Sequence, residues 1–370
     1  MSDIADLSKG IGISKDQLSA DGEPCILYGE LYTKYKSETI KEVISKTNID
    51  NTKLVKSKAN DVIIPCSGET AEEIATARCV LKDDILLGGD LNIIRLHGYD
   101  GSFMSYQLNG KRKYDIAKVA QGVSVVHLYG EHLKNIKTIN PSLNEQKKIA
   151  NLLSLLDERI STQNKIIDKL QSLIKGISNR LLYADNSMSI RIEEMLIERS
   201  ERTKKNNQYE VLSSTVNGIF SQRDYFSKDI ASDNNVGYKI IHLHDIVLSP
   251  QNLWMGNINF NDKFDIGIVS PSYKVFSIAD GFDKKYVAAL LKTHHALYNY
   301  MLVSEQGASI VRRNLNYEAF EQLVFKIPSL NKQREIGHAI SLLKSRLENA
   351  NLLIKTYNSQ KQFMIRQMFI

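Results

Sequence analysis

The chain has 370 residues, 42% of them hydrophobic and 24% charged, so it is long enough for about two domains with buried cores. No apolar run reaches the roughly 18 residues of a membrane span, and Met1–Asp6 has no signal-peptide pattern, so the sequence predicts a cytoplasmic protein. The net charge of +6 favours an anionic partner, and the spacing of Cys25, Cys66 and Cys79 fits neither a disulfide framework nor a CxxC metal motif, so no metal site is expected.

The first segment, residues 1–140, has the pattern of a mixed α/β region with many short strands. The predicted strands are Pro24–Tyr32, Asp61–Cys66, Asp84–Leu96 and Val123–Tyr129. After the second of them, Ser67–Thr70 leads into an Ala- and Glu-rich helix. Two interpretations stay open there: the backbone amides hold a phosphate at the helix N-terminus, or the segment is an ordinary helix cap.

A long helix is predicted next, from Ser142 to Tyr183. Pro141 fixes the backbone, Ser142 can cap the first turn, and a helix of this length would span about 60 Å. Apolar residues recur at steps of four and three, which places them on one stripe that only Gln163 interrupts. The seam residues are Ile149, Leu153, Leu156, Ile160, Ile167 and Leu170.

The second segment, residues 184–327, is again mixed α/β. Its predicted strands are Tyr238–Leu248, Ile258–Phe260 and Ile266–Ile278, and one helix, Lys284–Val303, interrupts the strand pattern. Apart from their C-terminal parts, the two segments resemble each other far less than the helices that follow them.

The chain then repeats itself. Pro141–Ile149 returns as Pro328–Ile336, an offset of 328 − 141 = 187, and Gln121–Val126 returns as Gln306–Val311, an offset of 306 − 121 = 185. The second helix carries its own stripe, which only Lys361 interrupts. Its seam residues are Ile336, Ile340, Leu343, Leu347, Ile354 and Tyr357.

One isolated stripe is equally typical of a core helix or a homodimeric coiled coil. Two matched stripes in one chain favour an intramolecular antiparallel pair, in which each helix covers the seam of the other. We therefore predict an α/β (α+β) fold with two pseudo-repeated domains, 1–140 and 184–327, separated by two long antiparallel spacer helices, 141–183 and 328–370, that form an intramolecular coiled coil.

This layout resembles the specificity subunits of type I restriction-modification systems over nearly the whole chain. The residues that carry the resemblance are the "P-x-L-x-E-Q-x-x-I-A" pattern at 141–150 with its copy from 328, Gly12–Lys15 through Pro24–Tyr32, and Ser249–Gly256 followed by Gly267–Tyr273. The resemblance implies that each domain is a target-recognition domain that reads one half of a split DNA site, while the helices set the gap. It also implies a subunit without catalysis that binds double-stranded DNA, two adenine methyltransferase subunits and restriction subunits, with S-adenosylmethionine, ATP and Mg in those partners.

Two positions depart from the family pattern. Lys332 stands where the first copy has Glu145, so we expect the second helix to be capped differently. The first domain also begins close to its Gly-Ile feature, whereas the second has a longer lead-in from Met188 to Leu212. A strand at the start of the first domain is therefore expected to be missing or to come from elsewhere in the fold.

Enzymatic functions find little support in the sequence. Asn140–Leu143 is the nearest match to an adenine methyltransferase motif, but it lacks the aromatic residue, and its copy begins with Ile327. No GxxxxGK[ST] or GxGxxG loop occurs. No residue is therefore predicted to be catalytic.

Candidate DNA-binding residues are cations for phosphates and polar or aromatic groups for base edges. The first domain supplies Lys34, Lys36, Ser67, Gly68, Thr70, Arg95, Lys111, Arg112 and Lys113, and the second supplies Arg202, Lys204, Lys205, Asn252, Trp254, Arg312 and Arg313. Each cation has an alternative as a solvated surface charge, and Trp254 has one as local core. The rival function from another class is a coiled-coil scaffold without DNA specificity, which salt-sensitive DNA binding would distinguish.

Overall fold

The computed structural model describes residues 1–122, 125–180, 188–225, 234–306 and 313–369. The chain forms two compact units. Unit 1 comprises Met1–Lys165 together with Asn351–Ile370, and unit 2 comprises Ile166–Ala350. Each unit therefore contains one mixed α/β domain and a part of each long helix.

Unit 1 is built mostly from short strands. They are β1 (Ala5–Lys9), β2 (Leu18–Ser19), β3 (Glu23–Ile26), β4 (Thr39–Ile40), β5 (Ser45–Thr47), β6 (Val55–Lys56), β7 (Asp61–Pro65), β8 (Ser67–Gly68), β9 (Arg78–Val80), β10 (Leu86–Leu87), β11 (Leu91–Leu96) and β12 (Val126–His127). The helices that begin in this unit are α1 (Glu30–Thr33), α2 (Ala71–Ile74), α3 (Gly101–Asn109), α4 (Arg112–Val119), α5 (Gly130–Lys134) and the long α6 (Leu143–Arg180).

Unit 2 has a similar composition of elements. Its strands are β13 (Met188–Arg191), β14 (Leu196–Arg199), β15 (Leu212–Thr215), β16 (Gly218–Ser221), β17 (Lys239–His242), β18 (Ile246–Leu248), β19 (Ile258–Phe260), β20 (Ile266–Val269), β21 (Lys274–Ile278), β22 (Ser304–Gln306), β23 (Arg313–Leu315) and β24 (Val324–Ile327). Its helices are α7 (Ile192–Met195), α8 (Gln222–Tyr225), α9 (Lys284–Leu290), α10 (His294–Leu302), α11 (Tyr317–Glu321) and the start of the long α12 (Leu330–Met368).

A three-stranded antiparallel arrangement recurs in the two domains. In unit 1, β11 pairs with β1 on one side and β7 on the other, and in unit 2, β21 pairs with β14 and β18 in the same way. The central strands of both arrangements are largely buried, which suits their content of Ile, Val, Leu and Phe. The duplication thus extends beyond the helices into the sheets.

An aspartate lies at the start of a buried strand in each arrangement. Asp61 accepts a bidentate pair of hydrogen bonds from Arg95 (2.9 and 2.7 Å), and Asp245 lies 3.6 Å from Arg199. Each aspartate also accepts the backbone N–H three residues before it at 2.8 Å. These buried carboxylates are satisfied, as their position requires.

The two long helices start in matching ways. Gln146 donates to the Pro141 carbonyl (2.7 Å) and accepts the Asp100 N–H (2.9 Å), and Asp100 caps α3 by accepting the Phe103 N–H. In unit 2, Gln333 donates to the Pro328 carbonyl (2.9 Å) and accepts the Asp283 N–H (3.1 Å), and Asp283 caps α9. A buried glutamine thus ties each long helix to its own domain.

The caps of the two helices differ. Ser142 and Glu145 form a capping box, in which the Ser142 N–H donates to Glu145 at 3.1 Å and the Ser142 hydroxyl accepts the Glu145 N–H at 3.4 Å. Lys332, at the position of Glu145, instead lies 2.7 Å from Glu335. The second helix therefore has a different first turn, as the lysine in the sequence predicts.

The helices run antiparallel within each unit. In unit 1, Leu153 and Leu156 near the start of α6 share a core with Ile365 and Phe369 near the end of α12. In unit 2, Ile177 near the end of α6 packs on the cluster that holds Ile340 near the start of α12. All twelve predicted seam residues are buried or half-buried. The predicted antiparallel helix pair and mixed α/β fold are confirmed.

Lys361 interrupts the apolar stripe because it enters a buried charged cluster in unit 1. Its ammonium contacts Asp157 at 2.6 Å and also Glu38. Asp157 further accepts hydrogen bonds from Tyr106 (2.7 Å) and Ser37 (2.8 Å). Burial raises the pKa of Glu38, and the positive charge of Lys361 opposes that rise.

Several element boundaries differ from the predictions. The predicted strand Pro24–Tyr32 stops at Ile26 and is followed by α1, and the predicted helix Lys284–Val303 is two helices, because Thr293 caps a new one by accepting the Ala296 N–H. The predicted strands 84–96, 238–248 and 266–278 are each divided by a turn. Val123 and Tyr183, which bound two predicted elements, lie outside the described residues.

The lead-in of the second domain contains a strand that has no counterpart in the described part of the first. Met188–Arg191 pairs with β24, whereas residues 137–140, at the position of β24 in the repeat, form no strand. The two domains then correspond again: the Met1 amine donates to the Ile136 carbonyl (3.0 Å), as the Ile192 N–H donates to the Leu323 carbonyl (2.9 Å).

Candidate nucleic-acid interface

Each domain places a hairpin beside the loop that follows its buried strand. In unit 1, Gln121 and His127 exchange backbone hydrogen bonds of 2.9 and 2.7 Å. On its other side, β12 pairs with β8, so that His127 lies opposite Ser67 and Val126 opposite Gly68. In unit 2, β22 pairs with β23 through Gln306 and Arg313. The Gln-Gly repeat seen in the sequence therefore marks an antiparallel pairing in both domains, through an isolated bridge at Gln121 and through strand β22 at Gln306.

In unit 2 this arrangement brings together three residues that the sequence singled out. The Arg313 N–H donates to the Gln251 carbonyl (3.1 Å), and its guanidinium carbon lies 4.4 Å from the centre of the Trp254 ring. Asn252 stands between Gln251 and Trp254 and is half-buried. The result is a compact group with a cation, an amide and an indole.

The loop that carries this group ends in a turn that favours glycine. Gly256 ends the short helical turn Leu253–Met255 with a φ of +88°, and a side chain there would clash with Leu297 of α10. Leu253 is fully buried, whereas Trp254 is half-buried. Trp254 thus combines the two interpretations of the sequence, since the ring packs on the domain while one face meets Arg313.

Arg313 is not fully satisfied by the domain. Its Nε is buried and has no hydrogen-bond partner among the described residues. Arg313 as a whole is only half-buried, and the other N–H groups of a guanidinium can bind an acceptor such as a phosphate or a base edge. Arg312, its predicted companion, lies outside the described residues.

The corresponding loop in unit 1 is built from smaller residues. Thr70 caps α2 by accepting the Glu73 N–H at 3.2 Å, so the hydroxyl is used within the four-residue helix. The Ser67 carbonyl accepts the Tyr32 hydroxyl at 3.2 Å. Ser67 and Gly68 are half-buried and lie in the two-stranded β8–β12 pair.

Three of the predicted cations in unit 1 have partners within the domain. Lys34 contacts Glu30 and the Ser45 hydroxyl, each at 2.6 Å, and Lys36 donates to the Tyr32 carbonyl at 2.8 Å. Arg95 is held by Asp61, and this hydrogen bond raises the pKa of the Arg95 guanidinium. Tyr32 connects Lys36 to the Ser67 loop, because its carbonyl accepts from Lys36 and its hydroxyl donates to the Ser67 carbonyl.

The remaining predicted cations lie on other elements than the hairpins and their neighbouring loops. Lys111–Lys113 begin α4, where Arg112 pairs with Asp115 at 3.3 Å. Arg202 donates to the Gly237 carbonyl at 2.8 Å, and Lys204 and Lys205 are exposed. The sequence did not indicate that these cations lie on different elements from the hairpins.

Two residues near the unit 1 hairpin were missed from the sequence. The ammonium of Lys9 lies 5.5 Å from the centre of the Tyr129 ring, and Tyr129 stacks on His127 with ring centres 6.2 Å apart. Tyr129 is 45% exposed, so its ring faces solvent beside the hairpin. The Gln121–Val126 repeat was the available signal, since His127 and Tyr129 follow it directly in the sequence.

The described residues offer neither a metal site nor a membrane span. In the ranges that the structure covers, no group of three or more His, Cys, Asp and Glu side chains is placed to hold a metal ion. Within those same ranges, no helix combines the length and hydropathy that crossing a bilayer needs. The sequence has two pairs of closely spaced histidines, His242 with His244 and His294 with His295, a spacing that could suggest metal ligands. One member of each pair has another contact: His242 lies 2.8 Å from Glu201, and His295 meets the Phe325 ring edge-on.

Comparison with known proteins gives one family and related folds. Residues 1–172 match the family described as type I restriction modification DNA specificity domain. The specificity subunit of the type I restriction enzyme MjaVIII from Methanocaldococcus jannaschii is 29% identical over 179 residues, which cover 48% of this chain and 40% of that protein. The matched region therefore spans less than half of that curated relative.

One solved structure extends the likeness to the whole fold. The S subunit of a type I restriction-modification system from M. genitalium matches with a TM-score of 0.65 and 15% identity, covering 100% of this chain and 94% of that one. The HsdS subunit from Thermoanaerobacter tengcongensis matches with a TM-score of 0.42, 11% identity and coverage of 100% and 95%. Residues 1–172 thus match the type I restriction modification DNA specificity domain family, and the chain as a whole has the fold of the M. genitalium S subunit.

Proposed function

We propose that this chain is the DNA-reading subunit of a type I restriction-modification complex and that it performs no catalysis itself. Each domain reads one half of a bipartite duplex site. Adenine methylation and ATP-dependent cleavage, with their S-adenosylmethionine, ATP and Mg, belong to partner methyltransferase and restriction subunits.

The single observation that carries this proposal is the Asn252–Trp254–Arg313 group. An asparagine amide can pair with adenine in the major groove, and an arginine fork can pair with guanine. The indole fixes the guanidinium plane before DNA arrives, which reduces the entropy lost on binding. Its counterpart in unit 1, with His127, Tyr129 and Lys9, has different chemistry, which suits a second half-site of different sequence.

Exposed apolar residues on the long helices support docking of partner subunits. In unit 1 they include Leu152 and Leu155 of α6 and Phe363 of α12, which are 43%, 50% and 64% exposed. In unit 2 they include Ile166 and Leu173 of α6, which are 44% and 45% exposed. Such residues lie outside the buried seam and offer apolar contacts for methyltransferase subunits.

The test is to map methylated sites after co-expression with its methyltransferase subunit. Arg313→Ala should relax one or two positions in one half-site, at a cost of about 1–3 kcal/mol for each base-pair interaction that is removed, and leave the other half-site unchanged. Lys326→Ala, on the exposed face of β24, is the matched control and should preserve the whole site.

Either of two results would contradict this proposal. One is an unchanged methylation motif in the Arg313 variant despite normal expression. The other is the absence of salt-sensitive duplex binding and of a methyltransferase in pulldowns of the tagged chain, which would instead favour the coiled-coil scaffold.

A further inference from the structure

A cavity of about 290 Å³ lies between the last turns of α6 and the start of α10 in unit 2. Lys175, Ser178 and Asn179 of α6 line one side, and Lys292 and His294 line the other. A water molecule occupies about 30 Å³ in the liquid, so the cavity has room for a tetrahedral anion and several waters. Its lining combines these polar side chains with the apolar Ile174 and Leu347.

Lys292 is fixed in this place by the loop that carries the candidate interface. Its ammonium donates to the Gly256 carbonyl at 2.7 Å and to the Val216 carbonyl at 3.3 Å. Burial lowers the pKa of Lys292 to about 8, and the positive charge of Lys344 adds to this effect. Lys344 is exposed and lies outside the lining, on α12 one turn before Leu347, which lines the cavity.

The described part of the chain offers no ion-pair partner to the cations around the cavity. Within it, no carboxylate lies within 4.0 Å of Lys175, Lys292 or Lys344. Asp262 and Glu348 act on Lys344 from a longer distance, and Glu348 is itself 3.9 Å from Lys263. Two carbonyl oxygens satisfy hydrogen bonds of Lys292 but carry no net charge to balance it.

The internal repeat shows what is different about this place. Lys344 corresponds to Asp157 in the first copy, since 157 + 187 = 344, and Ile174 corresponds to Lys361, since 361 − 187 = 174. In unit 1, Asp157 and Lys361 pair at 2.6 Å, so the charges at these positions are balanced. In unit 2 the acid has become a lysine, and the described residues around it supply no paired acid in its place.

We propose that this cavity binds a phosphate group, with Lys175 and Lys292 of its lining as cationic partners and the nearby Lys344 adding positive charge. The nine-residue helix α10 begins at His294, so the positive end of its dipole faces the same space. Phosphate could come from two sources, the backbone of duplex DNA or a free phosphate compound. The DNA source rests on the proposed function, whereas phosphate binding as such does not.

The probe is inorganic phosphate, titrated calorimetrically into the full chain against chloride at equal ionic strength. The wild-type chain should bind phosphate, and Lys344→Asp, which introduces the acid of the first copy, should lower the affinity at least tenfold. Lys175→Gln should lower it less. Lys326→Gln, an exposed lysine of unit 2 outside the cavity, is the matched control and should bind phosphate like the wild type.

Duplex binding then distinguishes the two sources. If DNA supplies the phosphate, saturating duplex should abolish the phosphate titration, and Lys175→Gln should reduce the slope of log K against log salt by about one. If a free phosphate compound is the ligand, duplex and phosphate should bind together and the salt slope should stay unchanged.

Two results would overturn the inference: phosphate binding no stronger than chloride binding, or equal phosphate affinity in the wild type and Lys344→Asp. A chain that binds phosphate but no duplex would retain the inference and refute the proposed function.

Discussion

The starts of the two long helices are built alike, but the middles of the two seams are not. At both starts a buried glutamine joins a proline carbonyl to the N–H of an aspartate that caps a second helix. Further along, unit 1 has the Lys361–Asp157–Glu38 cluster, whereas the repeat places Ile174 and Lys344 at the first two of these positions in unit 2.

This difference separates two kinds of constraint. The glutamines satisfy backbone groups, which every copy of the fold must satisfy, so the same side chain recurs. The side chains of the seam cluster satisfy only one another, so the other repeat can carry different residues at all of these positions. A buried charge can change only if its partners change with it.

The largest effect is expected when one partner of the seam cluster is removed alone. Lys361→Met leaves the buried Glu38 and Asp157 without their ion-pair partner, with Arg78 remaining as a more distant cation, and we expect it to lower the free energy of unfolding of unit 1 by about 3–5 kcal/mol. Urea unfolding followed by circular dichroism should show the destabilisation. The fluorescence of Trp254, the single tryptophan of the chain, reports on unit 2.

The control for this variant is Lys355→Met, an exposed lysine of the same helix in unit 1, which should change stability by less than about 0.5 kcal/mol. Adding Glu38→Gln and Asp157→Asn to Lys361→Met should restore much of the stability. Equal unfolding curves for the Lys361 and Lys355 variants would mean that the cluster contributes nothing.

An intermediate effect, equal in both units, is expected at the helix starts. Gln146→Ala and Gln333→Ala each leave an aspartate N–H and a proline carbonyl without a partner, at a cost of about 1–3 kcal/mol. Hydrogen exchange at the Asp100 and Asp283 amides is the direct measurement. Faster exchange at only one of the two sites would show that the helix starts are alike in geometry but not in energy.

The smallest effect concerns the one part of the helix starts that differs. Hydrogen bonds from the Ser142 hydroxyl and N–H lower the pKa of Glu145. The capping box therefore contributes its full stability above the unfolded pKa of about 4.3 and loses it as the pH falls through the lower folded pKa. Acid should weaken the first turn of α6 but not that of α12, where Lys332 occupies the position.

An NMR titration of the Ser142 amide shift checks this, with a midpoint expected below about 4.3. Glu145→Gln should abolish the step and serve as the control. A midpoint at or above the ordinary glutamate pKa would contradict the capping box in solution.

The sequence alone predicted the parts of this fold that depend on local periodicity. The steps of four and three in both helices identified twelve seam residues that the structure buries or half-buries, because side chains on one helical face share one environment. The same reasoning treated Lys361 as an interruption. Its partners Glu38 and Asp157 are distant along the chain, so periodicity could not show the ion pairs.

In the candidate interface, too, the sequence indicated the local features but not the contacts between distant segments. Asn252 and Trp254 could be chosen from a short polar and aromatic loop, but the contact of Trp254 with Arg313 depends on strand pairing across about sixty residues. Arg95 was chosen as a free cation, and its bond to Asp61 depends on two strands being adjacent. The recurrence of Asp61 as Asp245, each at the start of a buried strand, was present in the sequence but too short to recognise without the sheets.

The division of the long helices between the units also bears on the order of synthesis. Unit 2 is continuous from Ile166 to Ala350, so all of its residues leave the ribosome in one stretch. Unit 1 needs the segment that begins at Asn351, which is separated from Lys165 by 185 residues (351 − 165 − 1). Until that segment arrives, Leu153, Leu156 and Asp157 face solvent where Ile365 and Lys361 will later cover them, so the domain that is translated first is completed last.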